Sequence, residues 1–138
     1  MTKEFVVDAS ISIAWVHPAQ ATTQSQALLE AIAAGAVVRA PALWSLETAN
    51  ALLVLTRRRK LREAERVNAL TVLAQLAVVL DHETAALAFG KLSDLATRHG
   101  LSVYDAAYLE LALRRKLPIA CKDGPLRTAA KRARVKLL

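Results

Sequence analysis

Four acidic residues stand where carboxylates of an α/β domain can do chemistry together. Asp8 ends a predicted strand, and Glu47 lies in the second turn of a predicted helix. Asp105 lies in the first turn of another helix, and Asp123 follows a predicted strand by two residues. Ligands of an open parallel sheet bind outside the carboxyl ends of its strands. We therefore expect these four side chains to converge at one edge of the sheet.

Three of these acids also have a purely structural explanation. Ser102 and Asp105 have the spacing of a capping box, and Asp123 precedes Gly124-Pro125 as an ordinary helix cap does. We expect Ser10 to cap a short helix that stops before Pro18. Asp8 can form a turn or cap before that helix, although a charge at the end of a buried strand is costly without a partner.

Glu47 is the hardest of the four to explain structurally. It is the only charged residue from Leu43 to Leu55, and no Lys or Arg lies near it in the sequence. A carboxylate in such an apolar helix needs a cation.

A divalent metal ion is the cation that best satisfies four converging carboxylates. Without it they repel one another, and some stay protonated. Oxygen-only ligands suit Mg²⁺ or Mn²⁺ rather than zinc. Such an ion can hold a phosphodiester, activate a water and stabilise the leaving oxygen. The acids therefore predict metal-dependent phosphodiester hydrolysis.

The charge balance favours a polyanionic substrate. The chain has 138 residues, 19 Lys and Arg against 12 Asp and Glu, and a net charge of +7. The excess lies after residue 56, and a basic domain suits a nucleic acid. The densest run predicts RNA contacts by Arg57, Arg58, Arg59 and Arg62. The alternatives are a solvated helix junction or a surface for a protein partner.

Composition excludes several other classes of protein. Hydrophobic residues make up 54% and charged residues 22%, which excludes disorder. No apolar stretch reaches the ~20 residues that span a bilayer, and we find no signal peptide. The single cysteine, Cys121, excludes an intramolecular disulfide and a thiolate zinc site. We expect one cytoplasmic domain over residues 1–138, with no membrane partner.

The order of the predicted elements defines the fold class. Short apolar strands alternate with helices, which predicts a three-layer α/β/α domain with a parallel sheet of about five strands. The predicted strands are Glu4–Asp8, Val37–Arg39, Val78–Leu80, Pro118–Cys121 and Val135–Leu138. Two helices between the second and third strands predict a projecting αα-hairpin, and a single helix is predicted from Asp81 to His99.

Three segments in order resemble those of PIN-domain ribonucleases, and most closely VapC toxins of VapBC toxin–antitoxin pairs. They are Val6-Val-Asp8-Ala-Ser10-Ile, Pro41-Ala-Leu-Trp-Ser-Leu-Glu47-Thr-Ala-Asn50-Ala-Leu and Ser102-Val-Tyr-Asp105-Ala-Ala-Tyr-Leu-Glu-Leu-Ala, in register with Cys121-Lys-Asp123. The resemblance implies a metal-dependent RNase with Asp8, Glu47, Asp105 and Asp123 as its acidic quartet. Ser10 and Asn50 match polar positions beside that quartet.

The same resemblance implies the partners of the protein. Such toxins form homodimers, cleave RNA (often tRNA or rRNA) and are blocked by a cognate VapB-like antitoxin. This chain departs from many relatives at Cys121, where they carry Thr or Ser. A non-catalytic RNA- or antitoxin-binding module and a DNA-directed nuclease on the same fold remain as alternatives.

Overall fold

Strands and helices alternate along the chain in a computed structural model that describes residues 2–122 and 124–138. The strands are β1 Glu4–Val7, β2 Val37–Pro41, β3 Val79–Asp81 and β4 Ile119–Ala120. The helices are α1 Ala9–Val16, α2 Thr23–Ala33, α3 Leu43–Arg57, α4 Glu63–Gln75, α5 Thr84–Leu87, α6 Ser93–His99, α7 Val103–Arg115 and α8 Pro125–Arg132. A 3₁₀ turn covers Pro18–Gln20, and a π-helical segment covers Ala88–Leu92. Among these helices none is long and apolar enough to cross a bilayer.

The four strands of the described residues form one parallel sheet in the order β3-β2-β1-β4. Val6 of β1 pairs with Arg39 on one side and with Ile119 on the other. α1 to α4 pack together, and α6 and α8 both pack on α7. Two groups of helices on one sheet confirm the predicted three-layer α/β/α architecture. The carboxyl ends of β1, β2 and β4 therefore lie along one edge.

The predicted fifth strand does not form a ladder in the described residues. Leu137 makes one isolated parallel bridge with Ile119. The Ile119 amide donates to Lys136 at 2.9 Å, and the Leu138 amide donates to Ile119 at 3.0 Å. β4 has only two residues, so it offers no length for a longer ladder. The prediction of about five strands was one too many.

Two helix predictions were also wrong in part. The helix expected from Asp81 to His99 is broken, because Asp81 ends β3 and a π-helical segment interrupts the rest. The predicted αα-hairpin, α3 and α4, does not project. α4 packs on both α1 and α3, and its Ala69 and Leu73 belong to the main core.

An ion-pair network fixes α7, which carries Asp105, against the end of β3. The Glu110 side chain is 1% exposed and accepts from Arg114 Nε at 2.9 Å. Arg114 also donates to Asp81 at 2.8 Å and contacts Glu83, and Lys91 of the π-helical segment lies 3.5 Å from Glu110. Removing one partner from such a buried pair costs about 3–5 kcal/mol. The network therefore holds α7 firmly in place.

Candidate active site

Asp8 sits at the carboxyl end of β1, where the strand turns into α1. Its amide donates to the Ala120 carbonyl at 3.2 Å, which ties it to β4. Its Oδ1 accepts from Ser10 Oγ at 2.7 Å and from the Ile11 amide at 3.2 Å. Asp8, and not Ser10 as predicted, is therefore the N-cap of α1, because its carboxylate reaches the third amide of the helix.

Ser10 lies between the Asp8 carboxylate and the loop that leads to the fourth acid. Its hydroxyl donates to Asp8 and accepts from the Lys122 amide at 3.3 Å. Cys121, just before Lys122, is fully buried. Asp123 itself lies outside the described residues, so its predicted role stays a prediction.

Glu47 and Tyr108 join two helices that are far apart in the sequence. The Tyr108 hydroxyl donates to Glu47 Oε1 at 2.7 Å. Burial raises the pKa of Tyr108, and the charge of Glu47 raises it further, so the phenol keeps its proton. Tyr108 is 1% exposed and lies one turn after Asp105 on the same face of α7. The sequence pattern did not single out Tyr108, although its spacing of three residues from Asp105 was an available signal.

The capping explanation of Asp105 accounts for its backbone and not for its carboxylate. Ser102 is the N-cap of α7, and its hydroxyl accepts from the Asp105 amide at 3.0 Å. The Asp105 side chain is half-buried, and burial raises its pKa.

The carboxylates of Asp8, Glu47 and Asp105 repel one another. Burial raises the pKa of Asp8 to about 6; Ser10 and Ile11 lower it by hydrogen bonding, and the charges of Asp105 and Glu47 raise it. Burial also raises the pKa of Glu47, against the Tyr108 hydrogen bond, and Asp105 adds to the rise. Three acids from three elements therefore share one electrostatic site.

No cation neutralises this site within residues 2–122 and 124–138. The ion pairs formed there involve other acids. The same residues contain no group of three or more His, Cys, Asp or Glu close enough together to hold a metal ion by themselves. Mg²⁺ does not require such a group, because it binds through one or two carboxylates, retained waters and substrate phosphates. The oxygen-only donors and their uncompensated charge therefore fit Mg²⁺ or Mn²⁺.

The other predicted residues near Glu47 in sequence lie further along α3 or just after it. Asn50 is exposed, one turn beyond Glu47. Arg57 ends α3 ten residues after Glu47, about 15 Å along the helix axis. Arg58 and Arg59 follow it and are exposed, while Arg62 Nε pairs with Glu65 at 3.0 Å. The structure therefore does not bring the basic run next to the acids.

The chain matches the model of a known domain family. The family model of the PIN domain matches residues 5–132. This chain belongs to the PIN-domain family. A comparison with curated protein sequences gives no match.

Solved structures with the same fold cover nearly the whole PIN domain. The protein PAE2754 from Pyrobaculum aerophilum is 24% identical with a TM-score of 0.64, over 94% of this chain and 87% of that one. VapBC2 from Rickettsia felis, bound to a DNA fragment from its promoter, is 12% identical with a TM-score of 0.68, over 98% and 97%. VapC20 of Mycobacterium tuberculosis, a toxin that cleaves the sarcin–ricin loop, is 20% identical with a TM-score of 0.64, over 91% and 94%.

The shifted pKa of Asp8 predicts how stability depends on pH in the absence of metal. Its folded-state pKa of about 6 lies above the ordinary 3.8, so wild-type stability falls as pH rises between these values. Asp8→Asn keeps the capping oxygen and avoids this loss. In EDTA the variant should melt above wild type at pH 7.5 and level with it near pH 4.

The control for this experiment is Asp94→Asn, an exposed acid in the first turn of α6. In EDTA at pH 7.5 this exposed-site variant should melt level with wild type. Mg²⁺ should raise the melting temperature of wild type more than that of Asp8→Asn. An Asp8→Asn variant that does not melt above wild type at pH 7.5 would contradict an unfavourable charge on Asp8.

Tyr108→Phe tests how Glu47 is held. Loss of the donated hydrogen bond should raise the pKa of Glu47 further, because that bond favours the ionised carboxylate. Carbon-13 NMR titration of the glutamate carboxyl groups measures the change. Tyr104→Phe, at a largely exposed tyrosine of the same helix, is the matched control. An unchanged Glu47 titration in Tyr108→Phe would remove Tyr108 from the site.

Proposed function

We propose that this PIN domain is a Mg²⁺- or Mn²⁺-dependent endoribonuclease that acts as the toxin of a type II toxin–antitoxin pair. The observation that carries the proposal is the group of three mutually repelling carboxylates, Asp8, Glu47 and Asp105, with no paired cation in the described residues. Membership of the PIN-domain family supports a nuclease. The basic charge of the chain supports a polyanionic substrate.

Asp8, Glu47, Asp105 and Asp123 would hold the metal ion. When bound, such an ion supplies charge stabilisation and activation of a water at neutral pH. The chain itself keeps the carboxylates oriented. Ser10 and the Ile11 amide fix Oδ1 of Asp8, and Tyr108 fixes Oε1 of Glu47. At pH 7 and above Asp8 is mainly ionised, since its pKa is about 6. Asn50, one turn from Glu47, is the proposed polar neighbour of the substrate.

The proposed partners are an RNA substrate (tRNA or rRNA), a VapB-like antitoxin and a second copy of the chain. The fold neighbours VapC20 and VapBC2 support the first two. A groove of about 430 Å³ supports the third, because its lining includes Leu46 and Tyr104, which are 76% and 64% exposed. Large exposed apolar side chains of this kind mark interaction surfaces.

Substitution of the four acids tests the proposed catalysis. Asp8→Asn, Glu47→Gln, Asp105→Asn and Asp123→Asn each remove a negative ligand, while Asp94→Asn is the control. We expect each of the first three to lower the rate of RNA cleavage by at least about a hundredfold, or ~2.7 kcal/mol in the barrier. Asp123→Asn should lower it less if that acid only positions water. Asp94→Asn should cleave like wild type.

The assay uses tRNA and a sarcin–ricin-loop hairpin, with Mg²⁺, Mn²⁺ or EDTA. EDTA should stop wild-type cleavage. A wild type that binds these RNAs and cleaves neither with either metal would favour the non-catalytic binding module. A wild type that cleaves only DNA would favour the DNA-directed nuclease.

The basic run after α3 gives a separate prediction on binding. Replacing Arg57, Arg58 and Arg59 with Gln should make the plot of log K against log salt shallower for RNA, by up to about 0.7–0.9 per lost phosphate contact. Fluorescence anisotropy with labelled tRNA in EDTA measures this slope. Arg98→Gln, at an exposed arginine of α6, is the control. If the triple variant keeps the wild-type slope, the run faces solvent or the antitoxin.

A further inference from the structure

A wide groove whose lining includes none of the arginine run lies beside α8. It has a volume of about 700 Å³ and runs between α8 and the residues that follow it. Its lining includes Gly124, Thr128, Lys131, Arg134 and Lys136. None of these residues belongs to the acidic site.

The groove is strongly and uniformly basic. Residues 124–138 contain no Asp or Glu, and their basic residues are Arg127, Lys131, Arg132, Arg134 and Lys136. Lys131, Arg134 and Lys136 line the groove and are exposed. A concave surface that carries one sign of charge attracts a ligand of the opposite sign.

The frame of the groove is well fixed. Ala129 and Ala130 bury the inner face of α8, and the Val135 amide donates to Ala130 at 2.9 Å, which turns the chain back along the helix. Arg127 Nη1 donates to the carbonyls of Cys121 at 3.1 Å and Leu138 at 3.3 Å. Arg127 therefore holds the groove together.

Two of the cations occupy backbone positions that favour glycine. Arg134 has φ 62°, and Lys116 has φ 56°. The left-handed conformation costs a residue with a Cβ about 1–2 kcal/mol, while a cation near a helix C-terminus regains about 0.3–1 kcal/mol.

Lys116 lines a second groove, of about 360 Å³, which shares Arg134, Val135 and Lys136 with the first.

The two grooves share lining residues and form one path beside β4, from Gly124 after this strand to Lys116 before it. Gly124 in the lining of the first groove is two residues from Lys122, whose amide donates to Ser10 beside Asp8, so this part of the groove lies near the acidic site. Lys116 precedes β4 and therefore lies at the amino end of that strand. By contrast, the arginine run lies about 15 Å along α3 from Glu47.

We propose that this path binds the phosphate backbone of the RNA strand as it leaves the acidic site. The inference rests on the proposed ribonuclease function for the location of the cleaved bond. The path is lined by Lys and Arg and contains no aromatic residue, so it contacts phosphates and does not stack bases. It therefore raises affinity for RNA without reading its sequence.

The test uses a triple variant, Lys131→Gln, Arg134→Gly and Lys136→Gln, in the full chain. Glycine at 134 suits the left-handed backbone, so the fold is retained. Anisotropy with labelled tRNA in EDTA, between 50 and 200 mM KCl, gives the slope of log K against log salt. Three lost contacts should make the slope shallower by about two units. Lys116→Gly should make it shallower by about 0.7.

Arg98→Gln controls for the loss of charge and should keep the wild-type slope. Arg59→Gly, at φ 60°, controls for the effect of glycine on the melting temperature. A folded triple variant that binds tRNA with the wild-type slope overturns the proposal. A wild type that binds no tRNA also overturns the proposal. The same holds for a wild type whose groove binds an acidic peptide and no RNA.

Cleavage assays separate this proposal from the proposed function. If wild type binds tRNA with a steep salt dependence that the triple variant loses, yet cleaves no RNA with Mg²⁺ or Mn²⁺, the path stands and the ribonuclease function fails. If wild type cleaves RNA and the triple variant keeps the wild-type slope, the function stands and the path fails. In an active enzyme the triple variant should raise KM with little change in kcat, because it removes uniform binding.

Discussion

The repulsion among carboxylates at the end of β1 is the constraint on which the site depends. Asp8 is held there by the chain itself, through the Ala120 carbonyl, the Ser10 hydroxyl and the Ile11 amide. These bonds fix the carboxylate where burial and two neighbouring charges disfavour its ionised form. The folded protein therefore has an unfavourable charge distribution that a bound cation would relieve.

A second group of acids, Asp81 and Glu110, has a structural role, and an arginine of the same chain neutralises its charge. Arg114 donates to Asp81 and Glu110, and its guanidinium lowers the pKa of Asp81. The acids at the carboxyl end of β1 have no such arginine among the described residues, and the pKa of Asp8 is raised. The acids that pair with Arg114 therefore serve to fix α7, whereas the acids without an arginine form a site that requires a ligand.

The helix α7 connects these two groups of acids. Its first turn carries Asp105, its second carries Tyr108 against Glu47, and its last carries Arg114 against β3. The ion-pair network therefore helps to set the position of both Asp105 and Glu47.

The loop after β4 also makes hydrogen bonds to two parts of the molecule. The Lys122 amide donates to Ser10, and Arg127 donates to the Cys121 carbonyl. The acids and the proposed RNA path are thus supported by the same short strand.

The sequence by itself determined the alternation of strands and helices and the position of Asp8 at the end of the first strand, because burial patterns and turn residues are local signals. It also marked Asp8, Glu47 and Asp105 through their position at strand ends and in apolar helices. Only the tertiary structure decided that Asp8 caps α1, that Leu137 makes one bridge, and that Tyr108 holds Glu47 across 61 residues of sequence. These features depend on which side chains meet after folding, and contacts between distant segments leave no periodic signal in the chain. Likewise, the separation of the arginine run from the acids depends on the length and direction of α3, and composition alone does not contain either.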